Sequence, residues 1–134
     1  MKQWITGLTL LVACAVLISC RGTSPFQKSP GEVVKAFYAA ANEGRYSDAK
    51  GLLSEDARKA IDGELGQLSG GFKKFCDENT KDGTISQVEI LSQEIRGEGA
   101  TVVDKITYKN GSVKDGDKNS LILEKGSWKL TIGD

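Results

Sequence analysis

The feature that most constrains the fold is a change in hydrophobic period near residue 83. Before Lys81-Asp82-Gly83, apolar residues recur at spacings of three and four, which is typical of amphipathic helices. After it, apolar and polar residues alternate, which is typical of half-buried strands. Helices followed by consecutive strands predict an α+β domain, in which N-terminal helices pack on one face of a four-stranded antiparallel sheet.

Several local signals place the predicted helices. The first begins at the capping box Ser29-Pro30-Gly31-Glu32 and ends near Asn42-Glu43-Gly44. Shorter helices are predicted over Tyr46 to Leu53, after the N-cap Ser54, and from about Gly71 to Asn79.

Turn residues divide the second half into strands. Strands are predicted over Ile85 to Arg96, Ala100 to Lys109, Ser120 to Glu124 and Ser127 to Ile132. Asn110-Gly111 and Asp115-Gly116 bound a predicted loop between the second and third of these, with a short extension over Ser112 to Lys114 as an alternative. The core candidates of the last hairpin are Leu121, Leu123, Trp128, Leu130 and Ile132.

The N-terminus has the form of a secretory signal. Lys2 is the only charge in residues 1–19, and an apolar run from Leu8 to Ile18 is interrupted only by Thr9. A spanning helix needs roughly 20 apolar residues, and this run is shorter. Residues 1–19 are therefore predicted to be a cleaved signal peptide.

Leu17-Ile18-Ser19-Cys20 resembles the bacterial lipobox. The resemblance implies cleavage between Ser19 and Cys20, a diacylglycerol on the Cys20 thiol and an acyl chain such as palmitate on the new amino group. The alternative is an ordinary signal peptide that happens to end in cysteine. Since Arg21 stands where an inner-membrane retention signal has Asp, the resemblance implies the outer membrane, facing the periplasm, in a host with two membranes.

The predicted organisation is a signal over 1–19, a lipidated cysteine and flexible tether over 20–28, and one domain over 29–134. Cys14 would leave with the signal and Cys20 would carry lipid, so Cys76 remains alone and no disulfide forms within the domain. Cys76 lies at helical spacing from Phe72, which predicts a buried thiol. An intermolecular bridge or a reactive thiol is the alternative.

Composition excludes several functions. Beyond residue 19 there are 17 basic and 18 acidic side chains, so no basic footprint for nucleic acid is expected. The chain has no His, the commonest general base and metal ligand. Asp115-x-Asp117-x-Asn119 resembles the start of a calcium loop, but Ser120 replaces the required Gly, which predicts a solvated turn. No metal and no cofactor are predicted.

Three segments resemble a known family. They are Ser29-Pro30-x-x-Val33-Val34-Lys35-Ala36-Phe37-Tyr38, Gly44-x-Tyr46-x-x-Ala49-x-x-Leu52-Leu53-Ser54 and Glu124-Lys125-Gly126-x-Trp128-Lys129-Leu130. They resemble small bacterial lipoproteins with domain of unknown function 4878, which are similar to the nuclear transport factor 2-like superfamily. The resemblance implies a curved sheet that wraps the first helix into a cone. That superfamily includes isomerases, dehydratases and non-catalytic binding or scaffolding domains. The fold therefore does not by itself identify the function.

The polar candidates for the interior of such a cone are Asp104, Tyr38 and Tyr108. Asp104 shares the alternating phase of Val102 and Ile106, which places it inside. A bulge near Val102-Val103 would instead turn Asp104 to solvent. A buried carboxylate beside a tyrosine could serve as a general base.

These observations lead to three functional hypotheses. The first is a non-catalytic, lipid-anchored envelope domain that binds a small apolar ligand or an envelope protein. The second is a homodimeric or scaffold module that uses the outer sheet face, at Thr101, Lys105, Thr107, Ile122 and Lys129. The third is an isomerase- or dehydratase-like enzyme that depends on Asp104.

Overall fold

The computed structural model of the chain describes residues 27–65 and 71–132. The predicted signal peptide, the lipobox with Cys20, and most of the tether lie outside the described residues. Within the described part, no helix combines the length and the apolar character needed to cross a membrane.

Helix α1 (Pro30–Asn42) begins at the predicted capping box. The Ser29 hydroxyl accepts a hydrogen bond from the backbone N–H of Glu32 (3.3 Å), and the Glu32 carboxylate accepts one from the N–H of Ser29 (2.7 Å). These reciprocal bonds satisfy two N–H groups at the helix start. Gly44 follows the helix with φ of +71°, a left-handed conformation that glycine adopts without strain.

Three shorter helices follow, which are α2 (Tyr46–Gly51), α3 (Glu55–Ala60) and α4 (Gly71–Asn79), and a π-helical turn (Ile61–Leu65) extends α3. The prediction that α2 continues to Leu53 is wrong. Leu130 donates its N–H to the carbonyl of Leu52 (2.9 Å) and accepts from the N–H of Ser54 (2.8 Å), so this segment pairs with the sheet. The segment after α2 thus covers the outer edge of the last strand.

The sheet has four antiparallel strands in the order β1-β2-β3-β4, as predicted. They are β1 (Ile85–Arg96), β2 (Gly99–Tyr108), β3 (Val113–Glu124) and β4 (Ser127–Leu130). Helix α1 packs against β1, β2 and β4. The predicted α+β class, with helices on one sheet face, is confirmed.

The loop predicted around Asp115-Gly116 is wrong, because β3 runs through it. Asp115 pairs with Lys105 and Asp117 pairs with Asp104, so Gly116 is an extra residue between two paired positions. Its φ of +82° is the conformation of a glycine bulge. Asp117 and Asn119 therefore belong to a strand and not to a solvated turn.

Strand β2 keeps an uninterrupted alternation. Its buried positions are Ala100, Val102, Asp104, Ile106 and Tyr108. The register breaks fall in the neighbours, at Ser86 and Leu91 of β1 and at Gly116 of β3. The alternative of a bulge near Val102-Val103 is therefore wrong, and Asp104 faces the interior.

The core lies between α1 and the inner face of the sheet. Phe37 packs edge-to-face on Tyr38 and on Phe75, with ring centroids 5.8 Å and 6.2 Å apart. Of the core candidates in the last hairpin, Leu121, Trp128 and Leu130 are buried and Leu123 is half-buried. Ile132 is 40% exposed, so its assignment to the core is wrong, because β4 ends at Leu130.

Candidate functional site

The candidate site centres on the carboxyl group of Asp104. Its side chain is 0% exposed, and it is the one fully buried charged residue among those described. Oδ2 accepts a hydrogen bond from Nδ2 of Asn119 at 2.7 Å. Oδ1 has no hydrogen-bond partner within the described part of the chain. A buried acceptor without a partner is costly, which makes Asp104 the candidate functional group of this region.

The surroundings of Asp104 change its acidity. Burial raises the pKa of Asp104 to about 6, and the charge of Asp117 acts in the same direction. The hydrogen bond from Asn119 and the positive charge of Lys114 lower this pKa and oppose the burial effect. The group is therefore mainly ionised at neutral pH and becomes protonated in mildly acidic solution.

Tyr38 and Tyr108, the other two predicted candidates, also lie in the interior. Burial raises the pKa of Tyr38 well above its ordinary value, and the charges of Asp104 and Asp117 add to the rise. Burial likewise raises the pKa of Tyr108. No hydrogen bond joins either phenol to Asp104 among the described contacts. The structure thus brings the three candidates into one region without pairing them.

Sequence reasoning missed three members of this region, because they were assigned to a loop and a turn. Asp117 lies directly opposite Asp104 on the neighbouring strand, and its carboxylate forms a 2.5 Å ion pair with Nζ of Lys114. Asn119 follows two residues later on the same face. The alternation of Asp117, Asn119 and Leu121 was the signal that could have revealed an inward-facing strand.

A cavity of about 150 Å³ lies beside Asn119, and we call it the α1–β4 cavity. Its polar lining includes the side chain of Asn119, which separates the cavity from the Asp104 carboxyl by one hydrogen bond. The described residues that line it are Phe37, Tyr38, Leu53, Phe75, Asn119, Leu130, Thr131 and Ile132. The lining is thus mainly aromatic and aliphatic, with few polar groups, as is usual for small-molecule sites.

At least three larger depressions lie elsewhere on the described surface. Their volumes are about 370 Å³ beside Trp128, about 360 Å³ beside Glu94 and about 320 Å³ beside Tyr38. The first two include no buried ionisable residue among those described, and the third includes the buried Tyr38 but not Asn119, the hydrogen-bond partner of Asp104. Volume alone would favour these depressions, but the buried carboxyl lies next to the α1–β4 cavity.

The outer sheet face is mainly polar. Lys105 pairs in register with Glu89 on one side and with Asp115 on the other. Lys129 donates to the carbonyl of Gly51 (2.6 Å). Thr101 is exposed, while Thr107 and Ile122 are half-buried. The five predicted contact residues therefore do not form a continuous apolar patch.

The described residues include few side chains that could bind a metal ion together. Within 27–65 and 71–132, no three Cys, Asp or Glu side chains are grouped so that they could hold a metal ion. Cys76 is buried in α4, as predicted, and burial raises the pKa of its thiol to about 11.

Comparisons with known proteins agree with this architecture. The family model described as domain of unknown function (DUF4878) matches residues 23–131. No curated protein matches the chain. A proposed NTF2-like transpeptidase from Campylobacter jejuni has a similar crystal structure, with a TM-score of 0.63 and 15% identity over 79% of this chain and 100% of that chain.

A second similar fold is the solution structure of a SEC-C motif containing protein from Rhodopseudomonas palustris. Its TM-score is 0.57 at 12% identity, and the match covers 80% of each chain. At such identities the likeness shows the fold alone, which is nuclear transport factor 2-like.

Proposed function

Because this chain belongs to the domain of unknown function 4878 family, we propose a function from its own residues: it is a lipid-anchored envelope protein that binds a small ligand in the α1–β4 cavity. The observation that carries the proposal is the position of Asp104. Its buried carboxyl has one oxygen without a partner and lies one hydrogen bond behind the cavity wall. Binding at this place, without a chemical step, is the proposed activity.

The proposed anchor is Cys20 of the lipobox Leu17-Ile18-Ser19-Cys20. Two or three chains on one cysteine would hold the protein stably, because each buried methylene contributes about 0.8 kcal/mol. Cys20 precedes Gln27, the first described residue, by seven positions. Even fully extended, that tether spans at most about 25 Å, so the domain would stay close to the membrane. In a host with two membranes we propose the outer one, facing the periplasm.

The anchor is tested with two cysteine variants expressed in a bacterium that processes lipoproteins. Cys20→Ala should abolish lipid attachment, measured as loss of the acylated mass and of the protein in the detergent-soluble membrane fraction. Cys14→Ala is the matched control, since it also removes one thiol from the N-terminal segment but leaves the proposed acceptor intact. An acylated Cys20→Ala protein would contradict the anchor.

The size of the cavity supports a small ligand. A cavity of 150 Å³ is large enough for a molecule about as large as benzene. Phe37, Phe75 and Leu130 provide apolar contacts, while Asn119 and Thr131 offer polar ones. A ligand with an apolar body and one polar group would satisfy both parts of the lining.

Ligand binding is tested by titrating the full chain with a neutral probe, benzyl alcohol, and recording amide chemical shifts by NMR. The shifts should concentrate at the cavity residues Phe75, Leu130 and Thr131. Residues around Glu94, in the separate surface depression, should be unaffected. Shifts confined to that depression or to the outer sheet face, or no shifts at all, would contradict the proposal.

Catalysis in the same cavity is the second candidate, and the raised pKa of Asp104 is the observation in its favour. Proton abstraction next to a carbonyl by this base also needs an acidic donor that stabilises the oxyanion formed. Tyr38 and Tyr108 are poor acids here, because burial raises the pKa of both. Turnover of an enolisable ketone that is lost in Asp104→Asn would support the enzyme and contradict a purely binding role.

A homodimer through the outer sheet face is the remaining alternative. Sedimentation analysis of the full chain in detergent, before and after Lys105→Glu, would test it. A dimer that dissociates in the variant would support this alternative. We propose a monomer in both proteins, since the outer face is mainly polar.

A further inference from the structure

The buried carboxylate of Asp104 is not paired with a cation among the described residues. Lys114 forms its ion pair with Asp117, the residue opposite Asp104. Asp104 itself receives only the neutral amide of Asn119. No Lys or Arg is present among the described residues that line the adjacent cavity. The negative charge of Asp104 therefore has no full counter-charge within the protein.

An uncompensated buried carboxylate is costly, and a bound cation that donates hydrogen bonds would remove much of that cost. Oδ1 of Asp104 has no hydrogen-bond partner among the described residues but does not line the cavity, so a cation bound in the cavity would act on this carboxylate across Asn119. The ring of Tyr38, which lines the cavity, could also face a cation favourably. An anionic ligand would be repelled by the nearby charge of Asp104, with no compensating positive side chain in the described lining.

Resting on the proposed function, we propose that the α1–β4 cavity selects a small amine. Its protonated nitrogen binds the side chain of Asn119 at the cavity wall, one hydrogen bond from the Asp104 carboxylate, and its apolar end, about the size of a benzene ring, lies against Phe37 and Phe75. Asn119, a polar member of the cavity wall, donates a hydrogen bond from its Nδ2 to Asp104 and therefore lies between the ammonium group and the carboxylate. The chemical class is therefore a compact arylalkyl or branched alkyl amine.

The test compares three probes of similar size but different charge on the full chain at pH 7.5. The probes are benzylamine, benzyl alcohol and benzoate, and affinities are measured by NMR titration. Benzylamine should bind at least about ten-fold more tightly than benzyl alcohol, and benzoate should bind most weakly. Equal affinities, or a preference for benzoate, would overturn the amine and leave the proposed cavity function standing. If no probe binds, the proposed function and the amine fail together.

The role of Asp104 is tested by Asp104→Asn, which removes the charge and keeps the shape. Benzylamine affinity should fall about ten-fold or more, while benzyl alcohol affinity should change less than about three-fold. Asp56→Asn, an exposed position in the first turn of α3, is the charge-matched control and should leave both affinities unchanged. Equal losses for both probes in Asp104→Asn would overturn the charge-specific role.

A measurement on the unaltered chain makes the test independent of whether Asp104→Asn folds. Benzylamine stays protonated between pH 5 and 7.5, as alkylamines do. Its binding should weaken about ten-fold at pH 5, because Asp104 becomes protonated there. The other titratable groups facing Asp104 are Tyr38, Tyr108, Asp117 and Lys114, and Asp117 forms an ion pair with Lys114. Benzylamine affinity that does not change between these pH values would overturn the proposal.

Discussion

Asn42, at the end of α1, makes two hydrogen bonds with the backbone of Ile85, at the start of β1. Its Oδ1 accepts from the N–H of Ile85 at 2.9 Å, and its Nδ2 donates to the Ile85 carbonyl at 3.3 Å. The Asn42 side chain thus joins the end of α1 to the first residue of β1, which is an edge strand of the sheet.

We expect Asn42→Ala to lower the free energy of unfolding by about 2 kcal/mol, because it leaves partly buried backbone groups of Ile85 without partners. Urea unfolding followed by circular dichroism would measure it. Ser47→Ala, at an exposed position of α2, is the control and should change stability by less than about 0.5 kcal/mol. Equal stabilities of the two variants would contradict the linking role of Asn42.

Gly31 and Gly51 form a matched pair for a test of packing. A Cβ on Gly31 would lie 3.1 Å from Oε1 of Gln93 and 3.2 Å from Cγ1 of Ile90, whereas one on Gly51 would meet nothing within 4 Å. Oε1 of Gln93 is also held by the N–H of Gly31 at 2.8 Å, so it cannot move freely.

Gly31→Ala should therefore destabilise the domain by about 1 kcal/mol or more, through overpacking. Gly51→Ala should stabilise it by about 0.5 kcal/mol, because alanine favours the helix. Thermal unfolding monitored by circular dichroism distinguishes the signs. A gain in stability for Gly31→Ala would show that the gap between α1 and β1 is wider than described.

The buried carboxyl predicts a pH-dependent stability. The pKa of Asp104 is about 6 in the folded chain and lies near 4 in an unfolded one, so the folded state holds this proton more tightly. The stability contributed by the group is therefore complete below about pH 4 and is lost as the pH rises towards and through 6.

Asp104→Asn removes this loss of stability at higher pH, because asparagine does not ionise. We expect the variant to be more stable than the unaltered chain by about 1–3 kcal/mol at pH 7.5, with the difference disappearing near pH 4. Urea unfolding of both proteins at several pH values would measure the difference in their free energies of unfolding. The titrations of all other groups contribute equally to both proteins and cancel in that difference. A difference that grows as the pH falls would contradict the raised pKa of Asp104.

Cys76 should be unreactive while the domain is folded. Because it is buried and its thiol pKa is raised to about 11, we expect N-ethylmaleimide to label it at least about 100-fold more slowly in the native chain than in guanidinium chloride. Peptide mapping by mass spectrometry identifies the labelled thiol. Ser47→Cys provides an exposed thiol as a control, which should label rapidly in both conditions. Rapid native labelling of Cys76 would contradict its burial.

Local patterns predicted much of the fold. Ser29 and Glu32 marked the start of α1, because a capping box involves residues only three apart. The boundaries of β1 were predicted from alternation and its flanking glycines, and the structure confirms them. Gly116 misled the prediction of β3, since a glycine at positive φ can belong to a turn or to a bulge, and only the pairing of Asp115 and Asp117 with β2 distinguishes the two.

The candidate site was predictable only in part. Alternation along β2 placed Asp104 inside, but the same sequence allowed a bulge that would have turned it outward. Asn119 was missed because its position depends on the register between β2 and β3, which are joined by hydrogen bonds between residues far apart in the chain.

The sequence by itself determined the order of helices and strands, contains the lipobox that predicts lipid attachment, and lacks histidine. These depend on residue types and on periods of two to four residues. The tertiary structure decided that Asp104 is buried, that Asn119 is its partner and that Lys114 pairs with Asp117 instead. The physical reason is that burial and hydrogen-bond satisfaction depend on strand register and on the helix covering the sheet, which are set by packing of the whole domain.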